Sequence, residues 1–181
     1  MQALIKEELK LNLGGAGEGF KDSRIPGFKT VDLREGPTTD FVSDVSKLAA
    51  IKDAEVSEVY ASNVLEHFTH LDTVKVLSEW CRVLKPGGKL YVSVPDFDVI
   101  VKLYQKAGYT TWLNYHLFGD QKHPLNFHYT CFTFATLAKS LVDAGFNDVR
   151  RVKTFGLAED GSCNIDSLTG TLISLNVEAR K

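Results

Sequence analysis

Leu71–Asp96, LDTVKVLSEWCRVLKPGGKLYVSVPD, decides the fold. Its first half reads as a helix from about Leu71 to Leu84. Leu71, Val74, Leu77, Cys81 and Leu84 recur at three- and four-residue steps and form one apolar stripe. Pro86, Gly87 and Gly88 stop the helix, because proline cannot continue the ladder and glycine accepts left-handed angles. Lys89–Val94, KLYVSV, then reads as a strand closed by Pro95.

The same alternation continues upstream. Strands fit Leu9–Leu13, Phe28–Leu33, Phe41–Val45 and Val56–Ala61. The link between the first two is short and leaves room for only a turn or two of helix between Glu18 and Ile25. Downstream, helices fit Phe97–Lys106 and Thr133–Ala144. In the latter, Phe134, Leu137 and Leu141 share a face and Gly145 is the stop. Strand and crossover repeated in this way predict an α/β domain, a mostly parallel sheet with helices on both faces. The tail differs. Val149–Phe155 and Thr171–Ala179 have no helical segment between them and should pair as an antiparallel hairpin.

Bulk properties narrow the class. At 181 residues, 44% hydrophobic and 24% charged, the chain predicts one ordinary soluble domain over 1–181. Lys and Arg total 21 against 23 Asp and Glu. That balance disfavours a dedicated nucleic-acid binder, though not an enzyme touching nucleic acid through a small patch. Cys81, Cys131 and Cys163 form no CxxC pair and no disulfide framework, which fits a reducing, cytoplasmic setting. Cys81 lies on the helix stripe and reads as packing. MQALIKEELKLNLGG lacks the apolar core of a secretory signal, and no run of 18 apolar residues would span a membrane. The mean hydropathy of -0.10 agrees.

In an open α/β sheet, ligands bind beyond the carboxyl ends of the strands. The residues there are Gly14-Gly15-Ala16-Gly17-Glu18-Gly19, Asp32, Asp44, Ser62-Asn63 with Leu65-Glu66-His67, and Asp96 with Asp98. The glycines alone fit a flexible turn as well as a ligand loop. Asp32 lies 18 residues beyond Gly14, where a carboxylate can accept both hydrogen bonds of a ribose diol. Asp44 is placed to accept from an adenine amino group. A lone Asp at a strand end is ordinarily a cap or a solvated turn, but here several such features stand in register. There is no GxxxxGK[ST] loop, and a GxGxxG fingerprint starting at Gly15 meets Phe20 at its last position. A nucleoside carrying an amino-acid chain fits better than one carrying a pyrophosphate.

These segments together resemble the class I S-adenosylmethionine-dependent methyltransferases. LNLGGAGEG is similar to the family's glycine motif, GFKTVDL to its ribose-binding strand end and FVSDVSKL to its adenine-side motif. VYASNVLEHF and EWCRVLKPGGKLYVSVPD resemble the motifs of strands four and five, and GFNDVRRV and SLNVEARK the last two strands. The closest likeness is to small methyltransferase-domain proteins, some linked with surface-glycan or lipid modification. The resemblance implies a Rossmann-like seven-stranded sheet of order 3-2-1-4-5-7-6 with strand seven antiparallel. It also implies S-adenosylmethionine as cofactor. Gly14, Gly15 and Ala16 would line its methionine part, Asp32 the ribose with Leu33 beside the adenine, Asp44 and Val45 the adenine, and Ser62 the amino group. The chain departs from the pattern at Asn12, where an acidic residue is usual, and at Ala16 and Glu18, where glycine is common. Its first crossover is short and little length precedes strand one for a lid helix.

The segment from Gly108 to Phe132 is the most unusual. It holds seven of the 19 aromatic residues and three of the five histidines. It reads either as a substrate lid, with Asp96, Trp112, Tyr115, His116 and Tyr129 facing substrate, or as a satellite core. Asp96 fits equally as a helix cap. Methyl transfer needs alignment, and an acceptor hydroxyl must also lose a proton. His128 is the first candidate base and His67 the second, with a structural role for His67 as the alternative. His123, His128 and Cys131 lack a compact zinc pattern, so no metal is expected. The expected activity is methyl transfer to a small-molecule or glycan-related acceptor, a hydroxyl. The alternatives are a degenerate cofactor- or partner-binding module and a nicotinamide-dependent oxidoreductase. A homodimer is left open.

Overall fold

The computed structural model describes residues 8–15, 25–108, 111–157 and 170–181. Its sheet has seven strands in the order β3-β2-β1-β4-β5-β7-β6. These are β1 (Lys10–Leu13), β2 (Lys29–Asp32), β3 (Phe41–Val42), β4 (Val56–Ser62), β5 (Leu84–Pro95), β6 (Asn147–Val152) and β7 (Ser174–Arg180). The strands from β1 to β5 pair in parallel. β7 runs antiparallel to both β5 and β6. This is the Rossmann-like order implied by the motifs, with the antiparallel hairpin at one edge. The expected crossover helix between Glu18 and Ile25 lies outside the described residues, apart from Ile25 itself.

Alternation along the strands divides the core. Leu11 and Leu13, Val59 and Ala61, Leu90, Val92 and Val94, and Leu175, Val177 and Ala179 share the main cluster. Helices α1 (Thr73–Val83) and α4 (Phe134–Asp143) cover that face with Val76, Leu77, Trp80, Leu137 and Leu141. Tyr60 and Tyr91 point the other way and pack with Ile25, Phe28, Phe155 and Leu157. A third cluster joins α2 (Phe97–Ala107) to α3 (Thr111–Phe118) through Ile100, Leu103, Leu113 and Ile173.

Two expectations from the sequence need correction. The buried face of α1 is Thr73, Val76, Leu77, Trp80 and Cys81. Of the expected stripe, Leu77, Cys81 and Leu84 are buried in the main core and Val74 packs against it, but Leu71 precedes the helix and is 73% exposed. Trp80 turns inward because its ring is the largest apolar surface available and its indole N–H donates to the Val45 carbonyl at 2.9 Å. The Pro86-Gly87-Gly88 run lies past the helix, in a bulge of β5. Leu84 pairs with Val56 and Lys89 with Glu58, so the intervening residues of β5 loop out against Ser57. A Cβ on Gly88 would sit 2.9 Å from the Lys85 carbonyl and 3.1 Å from that of Ser57, which only glycine avoids.

The loop after β3 is tied down by α1. Glu79 accepts from the Leu48 amide at 2.7 Å. Arg82 is held by Glu79 and Asp53 and donates to the Ile51 and Leu48 carbonyls at 3.0 and 3.1 Å. The Arg82 guanidinium in turn holds the Glu79 carboxyl below its ordinary range. Removing Arg82 leaves these acceptors without their charged donor. Arg82→Ala is expected to destabilise the fold by about 2 kcal/mol, read as a lower urea midpoint. An unchanged midpoint would show that the network does not hold the loop.

Candidate functional site at the carboxyl edge of the sheet

β1 lies between β2 and β4, where the strand order reverses, so the chain leaves β1 into a crowded crevice. Gly14 has φ +70, and a Cβ there would fall 2.6 Å from Val64 Cγ2. Its amide donates to the Val31 carbonyl at 2.8 Å. A Cβ on Gly15 would lie 2.3 Å from the Asn12 side-chain amide nitrogen. The backbone therefore passes directly over the buried Asn12, and neither position admits a side chain without displacement. Ala16 and the rest of the glycine segment to Gly19 lie outside the described residues, as do Phe20, Tyr109 and Cys163.

The next strand ends put Asp32, Leu33 and Asp44 on the same edge. Asp32 is buried, and both its carboxylate oxygens accept from Arg34, at 3.1 Å from Nε and 3.2 Å from Nη2. The Arg34 amide also donates to Oδ1 at 2.9 Å. Arg34 was not singled out from the sequence, although a cation two residues from a strand-end carboxylate is a readable signal. Leu33 is half exposed beside it. One Asp44 oxygen accepts from the Ser46 amide and hydroxyl, a local turn. Val45 packs into the main core, and its carbonyl is the one Trp80 holds. Ser62 closes β4 and its hydroxyl accepts from Asn63 Nδ2 at 3.3 Å. Asn63 takes φ +53 to turn the chain off the strand.

That turn leads into a short 3-10 helix, Leu65–His67, anchored by the fully buried Leu65. The segment 127–130 is clamped across it. The Tyr129 and Thr130 amides donate to the Glu66 carbonyl at 2.8 and 3.3 Å, and the Thr130 hydroxyl to the Phe68 carbonyl at 2.8 Å. The clamp brings His67 and His128 together, ring centroids 4.8 Å apart and edge to face. His67 Nδ1 lies 3.0 Å from the Phe127 carbonyl, and His128 Nδ1 lies 3.0 Å from the His116 carbonyl at the end of α3. A carbonyl only accepts, so each Nδ1 carries the proton and each Nε2 carries the lone pair.

Glu66 completes the group. It is 1% exposed, and neither carboxylate oxygen has a hydrogen-bond partner among the described residues. Burial pushes its carboxyl up to about 8, opposed in part by its own backbone amide. Burial also lowers both histidines. His128 falls to about 4, while the Phe127 and Asn63 backbones oppose the shift at His67. One ligand atom from each of Glu66, His67 and His128 lies within 4.8 Å of the others. The two histidines named from the sequence as rival bases are thus neighbours. Glu66 stands among the strand-end residues read from the sequence but carries no assigned role there, although it adjoins His67 in LEHF.

The remaining residues named from the sequence scatter. Asp96 is fully buried. It caps α2 by accepting from the Asp98 and Val99 amides, and Arg151 takes its other oxygen, so the capping alternative is the arrangement seen. Trp112 lies against His116, ring centroids 4.3 Å apart and planes tilted by 59°, and packs beside the α2–α3 cluster. Tyr115 and Tyr129 are exposed. His123 Nδ1 accepts from the Leu125 amide in an exposed turn, and Cys131 is exposed, so neither joins His128. The spacing of His123, His128 and Cys131 therefore does not converge.

The family model described as "Methyltransferase domain" matches residues 28–92, about a third of the chain. A search of the curated proteins returns no match. Among solved structures, an S-adenosylmethionine-dependent methyltransferase of Archaeoglobus fulgidus is similar at TM-score 0.60 and 16% identity, over 96% of this chain and 86% of that one. The 1,6-didemethyltoxoflavin-N1-methyltransferase of Burkholderia thailandensis, solved with 1,6-didemethyltoxoflavin and S-adenosylhomocysteine, gives 0.58 and 19% over 97% and 72%. An S-adenosylmethionine-dependent methyltransferase of Mesorhizobium loti gives 0.58 and 16% over 96% and 90%.

A carboxyl held above its unfolded value binds its proton more tightly in the folded chain. The chain therefore loses stability as pH rises from 4.5 toward about 8. In metal-free buffer, Glu66→Gln is expected to raise stability at pH 8 by on the order of 2 kcal/mol or more. The gain should shrink toward pH 5. Parallel pH profiles for parent and variant would show that Glu66 does not titrate as the burial requires.

Proposed function

We propose that the chain is a class I S-adenosylmethionine-dependent methyltransferase that transfers a methyl group from S-adenosylmethionine to a hydroxyl of a small-molecule or glycan-related acceptor, a reading supported by its strand order and by the methyltransferase-domain match over residues 28–92. The observation that carries this reading is the convergence on one sheet edge of a side-chain-free backbone, a buried carboxylate and a pair of neutral imidazoles.

The residues present fit the cofactor. Gly14 and Gly15 leave their backbone bare where a Cβ would clash, which suits close approach of the methionine part. Asp32 is the ribose acceptor. Arg34 now fills its two oxygens and is itself partly exposed, so it can swing out or share them. Leu33, with half its surface free, offers an apolar face to the adenine. Asp44 retains one oxygen without a role in its local turn, and Ser62 stands near the amino-acid end. When bound, the cofactor supplies a methyl group already activated on a positively charged sulfur.

The protein's remaining tasks are to align the acceptor and to manage its proton. We place both at Glu66, His67 and His128, with Trp112, Tyr115, His116 and Tyr129 on the acceptor side. The imidazoles are neutral near pH 7, since burial lowers both. Asn12, standing where the family usually has an acidic residue, motivates a second reading, a cofactor- or partner-binding module without turnover.

Calorimetry with S-adenosylmethionine, S-adenosylhomocysteine and NAD separates the readings. Binding of NAD alone, or of none of the three, would sink the proposal. Binding of the sulfur nucleosides without methyl transfer over a broad acceptor panel would favour the module. Asp32→Ala is expected to weaken S-adenosylhomocysteine about 10-fold or more through lost ribose contacts, and unchanged affinity in the folded variant would refute that role. His128→Ala should depress turnover well beyond any loss of cofactor affinity, and an unchanged rate would remove it from the site.

A further inference from the structure

We propose that Glu66, His67 and His128 form a binding site for one divalent transition-metal ion, with open coordination positions toward the acceptor. Two imidazoles and one carboxylate are a donor set suited to zinc and to other first-row divalent ions. Each histidine has its Nδ1–H directed at a backbone carbonyl, Phe127 for His67 and His116 for His128. That is the outer hydrogen bond that orients a ligating imidazole and presents the Nε2 lone pair.

Glu66 supplies the independent observation. A carboxylate 1% exposed with neither oxygen partnered is costly unless a cation meets it. No Lys or Arg reaches it in any ion pair among the described residues. The donor atoms lie within 4.8 Å of one another, wider than the roughly 3.3 Å edge of a tetrahedron with ~2.0–2.1 Å bonds. The Glu66 carboxylate has no hydrogen-bond partner among the described residues to give up in adjusting to an ion. The turn bearing Glu66 and His67 and the segment bearing His128 are locked by the Glu66 and Phe68 carbonyls, so the framework is fixed before any ion arrives.

The site stands on these three residues alone. Its role in transfer rests on the methyltransferase reading. An acceptor hydroxyl bound to the ion loses its proton to solvent more easily. Its oxygen then forms the new bond to the methyl carbon as the carbon–sulfur bond breaks and its electron pair returns to sulfur. On this account the two imidazoles activate the acceptor through the ion rather than as direct bases, and acceptors with a second oxygen beside the first are favoured as chelators.

The test uses the full chain stripped with a chelator. Titration with Zn2+ by calorimetry, and with Co2+ by visible absorption, is expected to show one equivalent bound at micromolar affinity or better. Glu66→Gln and His128→Asn should each weaken it by 10-fold or more, with His123→Asn as a control that binds like the parent. Absence of saturable binding, or parent-like affinity in both site variants, overturns the proposal. Glu66→Gln carries no charge and keeps the side-chain shape, so its folding is secured, and circular dichroism confirms it for each variant. S-adenosylhomocysteine is titrated into the same samples. Its binding without metal binding overturns the metal site alone. Metal binding without it overturns the cofactor reading and leaves the site standing.

Discussion

The molecule is organised by the double pairing of β1. Leu11, Asn12 and Leu13 are hydrogen-bonded in register to Lys29, Thr30 and Val31 on one side and to Val59, Tyr60 and Ala61 on the other. With Leu11 and Leu13 buried and no lateral freedom left, the chain has one exit, upward through the point where strand order reverses. Val64 and Asn12 already fill the space on either side of that exit. The conformation of the first loop is therefore set by its surroundings before any ligand is considered, and Asp32 and Ser62 are placed at its level by the same two ladders.

The Leu65–His67 turn shows the opposite balance. Leu65 is drawn into the core, and Glu66 is buried with it, although nothing in the described protein satisfies its carboxylate. Elsewhere the chain obeys the usual rules with care: Asp96 is capped and paired, Glu79 is saturated and the Trp80 indole has its carbonyl. Ser93 Oγ and Asn176 Oδ1 are buried without a hydrogen-bond partner among the described residues, but neither is ionisable; the Glu66 carboxyl is, and beside two histidines oriented by backbone carbonyls it marks the place where stability yields to function.

The sheet was legible because its information is local. Short β-branched and aromatic runs, each followed by a turn or a small residue, locate strands without tertiary knowledge, and Asp32 and Gly14 could be assigned to strand ends by counting. What failed to show depends on distant surroundings. The apolar stripe of α1 is legible from Val74 to Leu84, but the burial of Trp80 depends on the distant Val45 carbonyl that its indole reaches, and Leu71 falls before the helix. α3 was not anticipated, since Thr111–Phe118 is apolar around most of its circumference and gives no stripe. The meeting of His67 with His128 joins residues 61 positions apart through main-chain hydrogen bonds that no side-chain pattern encodes. The partners of Asp32 and Asp96 divide the same way: Arg34 is two residues off, whereas Arg151 arrives from β6.

The placement of β7 between β5 and β6 governs how such a chain emerges from the ribosome. β6 is made first but touches the rest of the sheet only through β7, so it must wait as an unpaired ribbon until Ser174–Arg180 have been synthesised. The buried side chains of β7 then arrive last and insert between two waiting neighbours, with Asn176 opposite Ser93 and Val152. Vectorial synthesis thus leaves the nascent sheet with β5 as an open edge of Leu90, Val92 and Val94, a surface that invites wrong partners until the final strand closes it.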